Sequence, residues 1–112
     1  MKSDSSKKII QMFRHTNASA ITLKVSDKFD LIRGGRLSDL SIAYETWGSL
    51  NSDKSNVIVI FTGLSASSHV TSSSTDQTPG WWESVVGKEK AINTKDHYVI
   101  CVNTLGSCFG ST

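Results

Sequence analysis

The chain has 112 residues, 38% of them apolar, and a net charge of +2, the make-up of one ordinary domain. No run approaches the roughly 18 uncharged apolar residues that a bilayer crossing needs, and the apolar content is too high for wholesale disorder. Twelve basic and ten acidic side chains form no block of like sign, so neither a membrane nor a nucleic acid is an expected partner.

Residues 1–28 read as a polar leader, partly helical or disordered, and residues 29–112 as an α/β domain that the chain does not complete. The leader lacks the apolar core of a secretory signal. Its lysines, Arg14 and serines, with Asp4 as the one acid among the first twenty residues, also fit a mitochondrial leader, but a cytoplasmic protein is the simpler expectation. Cys101 and Cys108, with six residues between them, make neither a disulfide framework nor a zinc spacing. Reduced thiols and no metal site follow.

Phe29 and Leu31 alternate with polar neighbours, and Leu40, Ile42 and Tyr44 alternate with Ser41, Ala43 and Glu45, the period of half-exposed strands. Gly34 and Gly35 lie between them, which predicts an antiparallel pair turning at the double glycine. Residues 57–62, V-I-V-I-F-T, form a β-branched and aromatic run between Asn56 and Gly63, the texture of a strand buried on both faces of a parallel sheet. Serine and threonine crowd residues 65–78, a long surface loop. Residues 81–86 can supply a short helix, and Trp81 with Trp82 an anchor for the loop rather than a platform for stacking bases. A second strand-like run, Y-V-I-C-V-N over residues 98–103, is long enough after the first for a crossover connection and predicts its parallel neighbour. The fold class is α/β, with antiparallel edge strands leading into a parallel sheet. An unpaired apolar edge is expected at the strand ending in Asn103.

Three stretches hold candidate chemistry. Gly63-Leu64-Ser65-Ala66-Ser67 follows a strand but is no nucleophile elbow, since Ser67 stands where G-x-S-x-G needs glycine. It reads either as a plain turn or as a strand end whose freed N–H groups face a developing oxyanion. Gly106-Ser107-Cys108-Phe109-Gly110 satisfies G-x-C-x-G, so a hydrolase using Cys108 as nucleophile is an alternative, although the strand formers stop at Asn103. His69 reads more simply as a hydrogen-bonded structural residue than as a base or ligand, His15 and His97 as solvated, and Cys101 as a small core residue. Glu45, Asp39 and Asp76 form no close carboxylate pair of the glycosidase kind.

The strings L-S-D-L-S-I-A-Y-E-T-W-G-S-L-N (residues 37–51), N-V-I-V-I-F-T-G-L-S-A-S-S-H-V (56–70), P-G-W-W (79–82) and Y-V-I-C-V-N-T-L-G-S-C-F-G-S-T (98–112) resemble the N-terminal part of the homoserine O-acetyltransferase family, which includes related homoserine and serine O-succinyltransferases. The resemblance runs from about Phe29 to Thr112. It implies the N-terminal portion of an α/β-hydrolase fold and a CoA-dependent O-acyltransferase that acetylates the homoserine hydroxyl in methionine synthesis, by a ping-pong mechanism through an acyl-serine. It implies Leu64 as backbone oxyanion donor, Gly63, Leu64, Ser65, Ala66 and Asn103 beside the substrate, acyl-CoA as co-substrate with no bound cofactor, small-molecule partners and a full-length homodimer. The nucleophile, aspartate and histidine of the family lie beyond Thr112, so the chain alone is expected to be inactive. Ala66 and Ser67 stand where many of the family's acetyltransferases have glycine and an acid, which keeps serine as acceptor and succinyl-CoA as donor open. A non-catalytic binding module built on the same half-sheet is the remaining alternative.

Overall fold

The computed structural model describes residues 19–25 and 28–112. Most of the leader, His15 included, lies outside the described residues. The regular elements among them are all strands: β1 (Ile21–Lys24), β2 (Phe29–Asp30), β3 (Arg36–Leu37), β4 (Ser41–Trp47), β5 (Val57–Phe61), β6 (Val86–Gly87), β7 (Ile92–Asn93) and β8 (Tyr98–Val102). No helix of the described residues is long and apolar enough to cross a membrane.

A four-stranded sheet in the order β1-β4-β8-β5 organises the chain. Strand β8 pairs parallel with β5, Val59 opposite Ile100, and antiparallel with β4, Thr46 opposite Ile100. The two β-branched runs are thus neighbours, as their composition and spacing predict. Strand β1, drawn from the stretch assigned to the leader, pairs antiparallel with β4. Its I-T-L-K alternation places Ile21 and Leu23 opposite Tyr44 and Ile42, a cross-strand apolar set that favours pairing over a free tail.

The double glycine does make a turn, with Gly34 and Gly35 at φ 93° and 94°, a conformation that suits residues without Cβ. The returning arm, however, is β3 rather than residues 40–44. A tight turn pairs only what immediately flanks it, so Phe29 faces Leu37 and Asp30 faces Arg36, with an exposed ion pair between the last two. The expected pairing of residues 29–31 with 40–44 does not form. Strand β4 continues past this small hairpin into the main sheet.

Two expectations of burial are reversed. Ala43, Glu45 and Trp47 of β4 are buried while Ile42, Tyr44 and Thr46 are only half-buried; the face taken for solvent is the core face. Parity explains this: Trp47 shares a face with Ala43 and Glu45, and opposite them lie Val99 and Cys101 of β8. The core of Trp47, Ile60, Val70, Val86, Val99 and Cys101 forms where the serine-rich loop crosses this face. Strand β5, expected to be covered on both sides, keeps only Ile60 fully buried, with Phe61 85% exposed. It rather than β8 is an edge of the sheet among the described residues, because β8 inserts between β4 and β5.

The helix expected over residues 81–86 is a single turn. Val85 and Val86 N–H both donate to Trp82 O, and the carbonyl of Val85 then accepts from Ile92 N–H as β6 and β7 pair in parallel. Two β-branched valines and Gly87 end the turn before it can propagate.

Candidate functional site

Strands β5 and β8 run parallel, so the segments leaving their C-terminal ends, residues 62–67 and 103–110, emerge side by side. That end of a parallel sheet is where α/β folds bind ligands. Thr62 and Thr104 hydroxyls lie 3.3 Å apart and join the two exits. Leu64 is 92% exposed, and its backbone N–H has no partner among the described residues. Gly63 is open, with nothing within 4 Å of the position of a Cβ. An open cleft of about 380 Å³ lies beside this turn, between residues 65–67, residues 79–81 and Phe109.

Beneath the turn lies a buried polar network. Asn103, 2% exposed, accepts the N–H of Ser68 on Oδ1 at 2.6 Å, and its amide nitrogen donates to Ser68 Oγ at 2.9 Å and to the Phe109 carbonyl at 3.1 Å. Ser68 Oγ donates to Glu45 Oε1 at 3.0 Å. Glu45 Oε2 accepts from the Ser19 hydroxyl and lies 2.9 Å from His69 Nδ1, while His69 Nε2 lies 2.8 Å from the Thr78 carbonyl. Ser111 closes the far side, its hydroxyl accepting from Ala43 N–H and donating to the Asn103 carbonyl. Both amide donors of Asn103 are therefore spent within the protein. Burial tends to lower the His69 pKa, but the Glu45 carboxylate and the Thr78 carbonyl outweigh it and hold the ring above its ordinary value. Folding stability from this group is thus full below about pH 6.5 and is lost as pH rises through the higher folded value.

The tip of the serine-rich loop is folded back by three contacts. The Trp81 indole N–H donates to the Ser67 carbonyl at 2.8 Å, Trp82 N–H donates to the Val70 carbonyl at 2.9 Å, and the two indoles stack at 5.4 Å. The tryptophans thus anchor the loop. Glu83 accepts from Gly80 N–H, Ser72 N–H and Ser72 Oγ, at 2.8, 2.8 and 2.7 Å. The Gly80 bond first, then the Ser72 hydroxyl, hold its carboxyl down at about 2. A depressed carboxyl stabilises the fold above its unfolded value near 4.5 and loses that contribution as pH falls toward 2. Glu83→Gln is therefore expected to cost ~1 kcal/mol at neutral pH and to flatten the acid limb of a urea-midpoint profile between pH 4.5 and 2. An acid limb as steep as the wild type's would show that another carboxyl controls it.

Cys101 is buried, and desolvation, with the Glu45 charge added, pushes its thiol up to about 12; it is a core residue. Cys108 is exposed. His97 is half-buried against the Asn93 carbonyl. No group of three or more metal-ligating side chains exists among the described residues. A larger cleft, about 600 Å³, sits at the opposite end of the sheet, by Trp47, Ser72 and Lys88.

The network around Glu45 and Ser68 is absent from the motif reading, which took Glu45 for a solvent-facing residue. The signal was the parity of Glu45 with Trp47 on one strand.

No family model matches the chain. It is 52% identical over 82 residues to a serine O-succinyltransferase of Litchfieldella anticariensis, covering 73% of this chain and 22% of that protein. It is 50% identical over 90 residues to an L-serine/homoserine O-acetyltransferase of Streptomyces lavendulae, covering 80% and 24%. Among solved structures, esterase E22 superposes with a TM-score of 0.71 at 36% identity, covering 79% of this chain and 24% of that one. A homoserine O-acetyltransferase from Bacillus anthracis gives 0.68 at 33%, covering 77% and 23%. The chain spans about a quarter or less of the length of these proteins. Its mixed sheet is the corresponding portion of an α/β-hydrolase fold.

Proposed function

We propose that this relative of serine and homoserine O-acyltransferases supplies the oxyanion side of an enzyme that moves an acyl group from acyl-CoA to an amino-acid side-chain hydroxyl. The observation that carries the reading is the Leu64 N–H just past the C-terminal end of β5, without a partner among the described residues. It is held over a buried network and beside an open cleft.

In this reading a serine outside the described chain attacks the thioester carbonyl carbon, and the carbonyl oxygen becomes an oxyanion facing Leu64 N–H. Collapse expels the CoA thiol and leaves an acyl-serine, which the acceptor hydroxyl then attacks. Gly63, Ser65 and Ala66 border the acyl group; Asn103 supports the turn from below. Acceptor and donor are serine or homoserine and succinyl- or acetyl-CoA. Acetylation of homoserine for methionine synthesis, the expectation from the sequence, stands beside acylation of serine for cysteine synthesis. The names of the two relatives support the second, since serine is named in both, alone in the first and beside homoserine in the second. The partners are these small molecules, and the working form is a cytoplasmic homodimer.

The Cys108 hydrolase is the weaker reading. Both ring nitrogens of His69 are engaged at Glu45 and Thr78, which leaves that histidine unable to serve the thiol.

The chain alone should release no thiol from acetyl- or succinyl-CoA, with serine or homoserine present. Turnover that disappears on Cys108→Ala would decide for the hydrolase. The positive test is a chimera in which this chain replaces the matching segment of the Litchfieldella anticariensis protein. Leu64→Pro, which removes the N–H, should lower kcat about 10²–10³-fold, whereas Leu64→Ala, which keeps it, should leave kcat within a few fold. Equal effects of the two would remove Leu64 from the mechanism.

A further inference from the structure

The proton positions around His69 follow from groups whose roles are unambiguous. A backbone N–H can only donate, so the contact from Ser68 N–H sets Asn103 Oδ1 and turns Nδ2 toward Ser68 Oγ. Ser68 Oγ, already accepting there, gives its own hydrogen to Glu45 Oε1. On the other side of the imidazole, the Thr78 carbonyl can only accept. The Thr78 hydroxyl, 2.6 Å from Asp76 Oδ1, gives its hydrogen to that carboxylate and so accepts from the ring as well, at 3.2 Å. Nε2 therefore carries a hydrogen. Nδ1 faces a carboxylate that already receives two hydroxyls.

We propose that His69 is a positioning residue that carries a hydrogen on each ring nitrogen, ties residues 63–80 to β4 through Glu45 and to Thr78, and releases the Thr78 side of the loop when it loses one of them as pH rises. This rests on the reading of residues 63–65 as an oxyanion turn, which the latch would hold in place. His69 follows that turn by four residues, and the N–H of its neighbour Ser68 is pinned by Asn103.

Among the described residues, the charged and titratable groups facing the ring are Glu45 from β4 and Asp76 from the loop. Cys101 of β8 lies near Glu45 and is kept as a neutral thiol. The carboxylate holds the hydrogen on Nδ1 more strongly than the neutral carbonyl holds that on Nε2, so deprotonation sets the Nε2 lone pair against the Thr78 carbonyl. Trp81 reports the consequence, because its backbone N–H reaches the His69 carbonyl and its indole N–H reaches Ser67.

The test is nuclear magnetic resonance of the chain with labelled histidine and tryptophan between pH 5 and 9. The His69 ring should titrate above its ordinary value with both nitrogens protonated below that midpoint, and the Trp81 indole N–H signal should move with the same midpoint as the ring. Glu45→Gln, which keeps shape and removes charge, should lower that midpoint by about one to three units. A ring that titrates at or below the ordinary imidazole value, or a Trp81 signal indifferent to the His69 titration, overturns the proposal. Should Glu45→Gln not fold, the wild-type titration decides alone. No acyl chemistry enters these measurements, so failure of the latch and failure of the acyl-transfer reading are seen in separate experiments.

Discussion

Gly80→Ala is expected to destabilise the fold by more than about 3 kcal/mol, at the upper end of what overpacking costs. A Cβ at this position would lie 2.1 Å from the carbonyl carbon of Val70 and 2.2 Å from its oxygen and from Thr71 N. These are backbone atoms, so no rotamer change relieves the contact. Val70 is fully buried in the core, and its carbonyl accepts from Trp82 N–H. Moving it breaks the strand-like approach of residues 80–82 to 69–71. The same shift pulls Gly80 N–H away from Glu83, which then loses the bond that most lowers its carboxyl. Urea unfolding measures the effect, and Gly63→Ala is the contrast, since a Cβ there meets nothing within 4 Å. Its midpoint should stay within about 0.5 kcal/mol of wild type. A Gly80→Ala midpoint equally close to wild type would mean that residues 69–71 and 80–82 do not touch as described.

Glu45→Ala is the second large effect. Glu45 is 1% exposed and holds the Ser19 and Ser68 hydroxyls and the His69 ring. Removing one partner of a buried pair costs about 3–5 kcal/mol, because the other is left charged or unpaired without water. The loss should depend on pH in a definite sense. In the wild type His69 contributes stability below about pH 6.5 that fades at higher pH. Without Glu45 the ring sheds its proton, and the variant's unfolding midpoint should be nearly flat over the interval in which the wild type's falls. A wild-type profile flat from pH 5 to 9 would contradict the buried pair.

Much of the sheet was legible because β-branched runs carry their own signal. Residues 57–62 and 98–103 had no helical period and were bounded by turn residues, and they are β5 and β8 with little change of boundary. The double glycine located a turn but not its partners, since a turn determines pairing only for the residues beside it. Strand β4 misled for a different reason. Its apolar residues Ile42 and Tyr44 mark one face, yet the covered face holds Ala43 and Glu45, and Glu45 is satisfied there by hydroxyls from Ser19 and Ser68 that no local pattern connects to it. The helix expected over residues 81–86 failed because Val86 and Gly87 found a parallel partner in residues 92 and 93. The position of Leu64 at the end of a strand could be read from the boundary at Gly63. The support beneath it could not, because Asn103 lies 35 residues from Ser68.

The strand order β1-β4-β8-β5 has a consequence for how the chain acquires its shape. Strands β4 and β5 are consecutive in the main sheet's part of the sequence, yet they never meet; β8 lies between them. The sheet cannot grow by adding each strand to the last as it arrives. Until residues 98–102 are in place, β5 has no neighbour to bond and β4 has only β1. Both missing ladders then close over loops of some forty residues or more, so chain entropy is lost before the contacts that compensate for it exist. Such a topology folds slowly for its size, because one late strand must supply both of the sheet's central ladders.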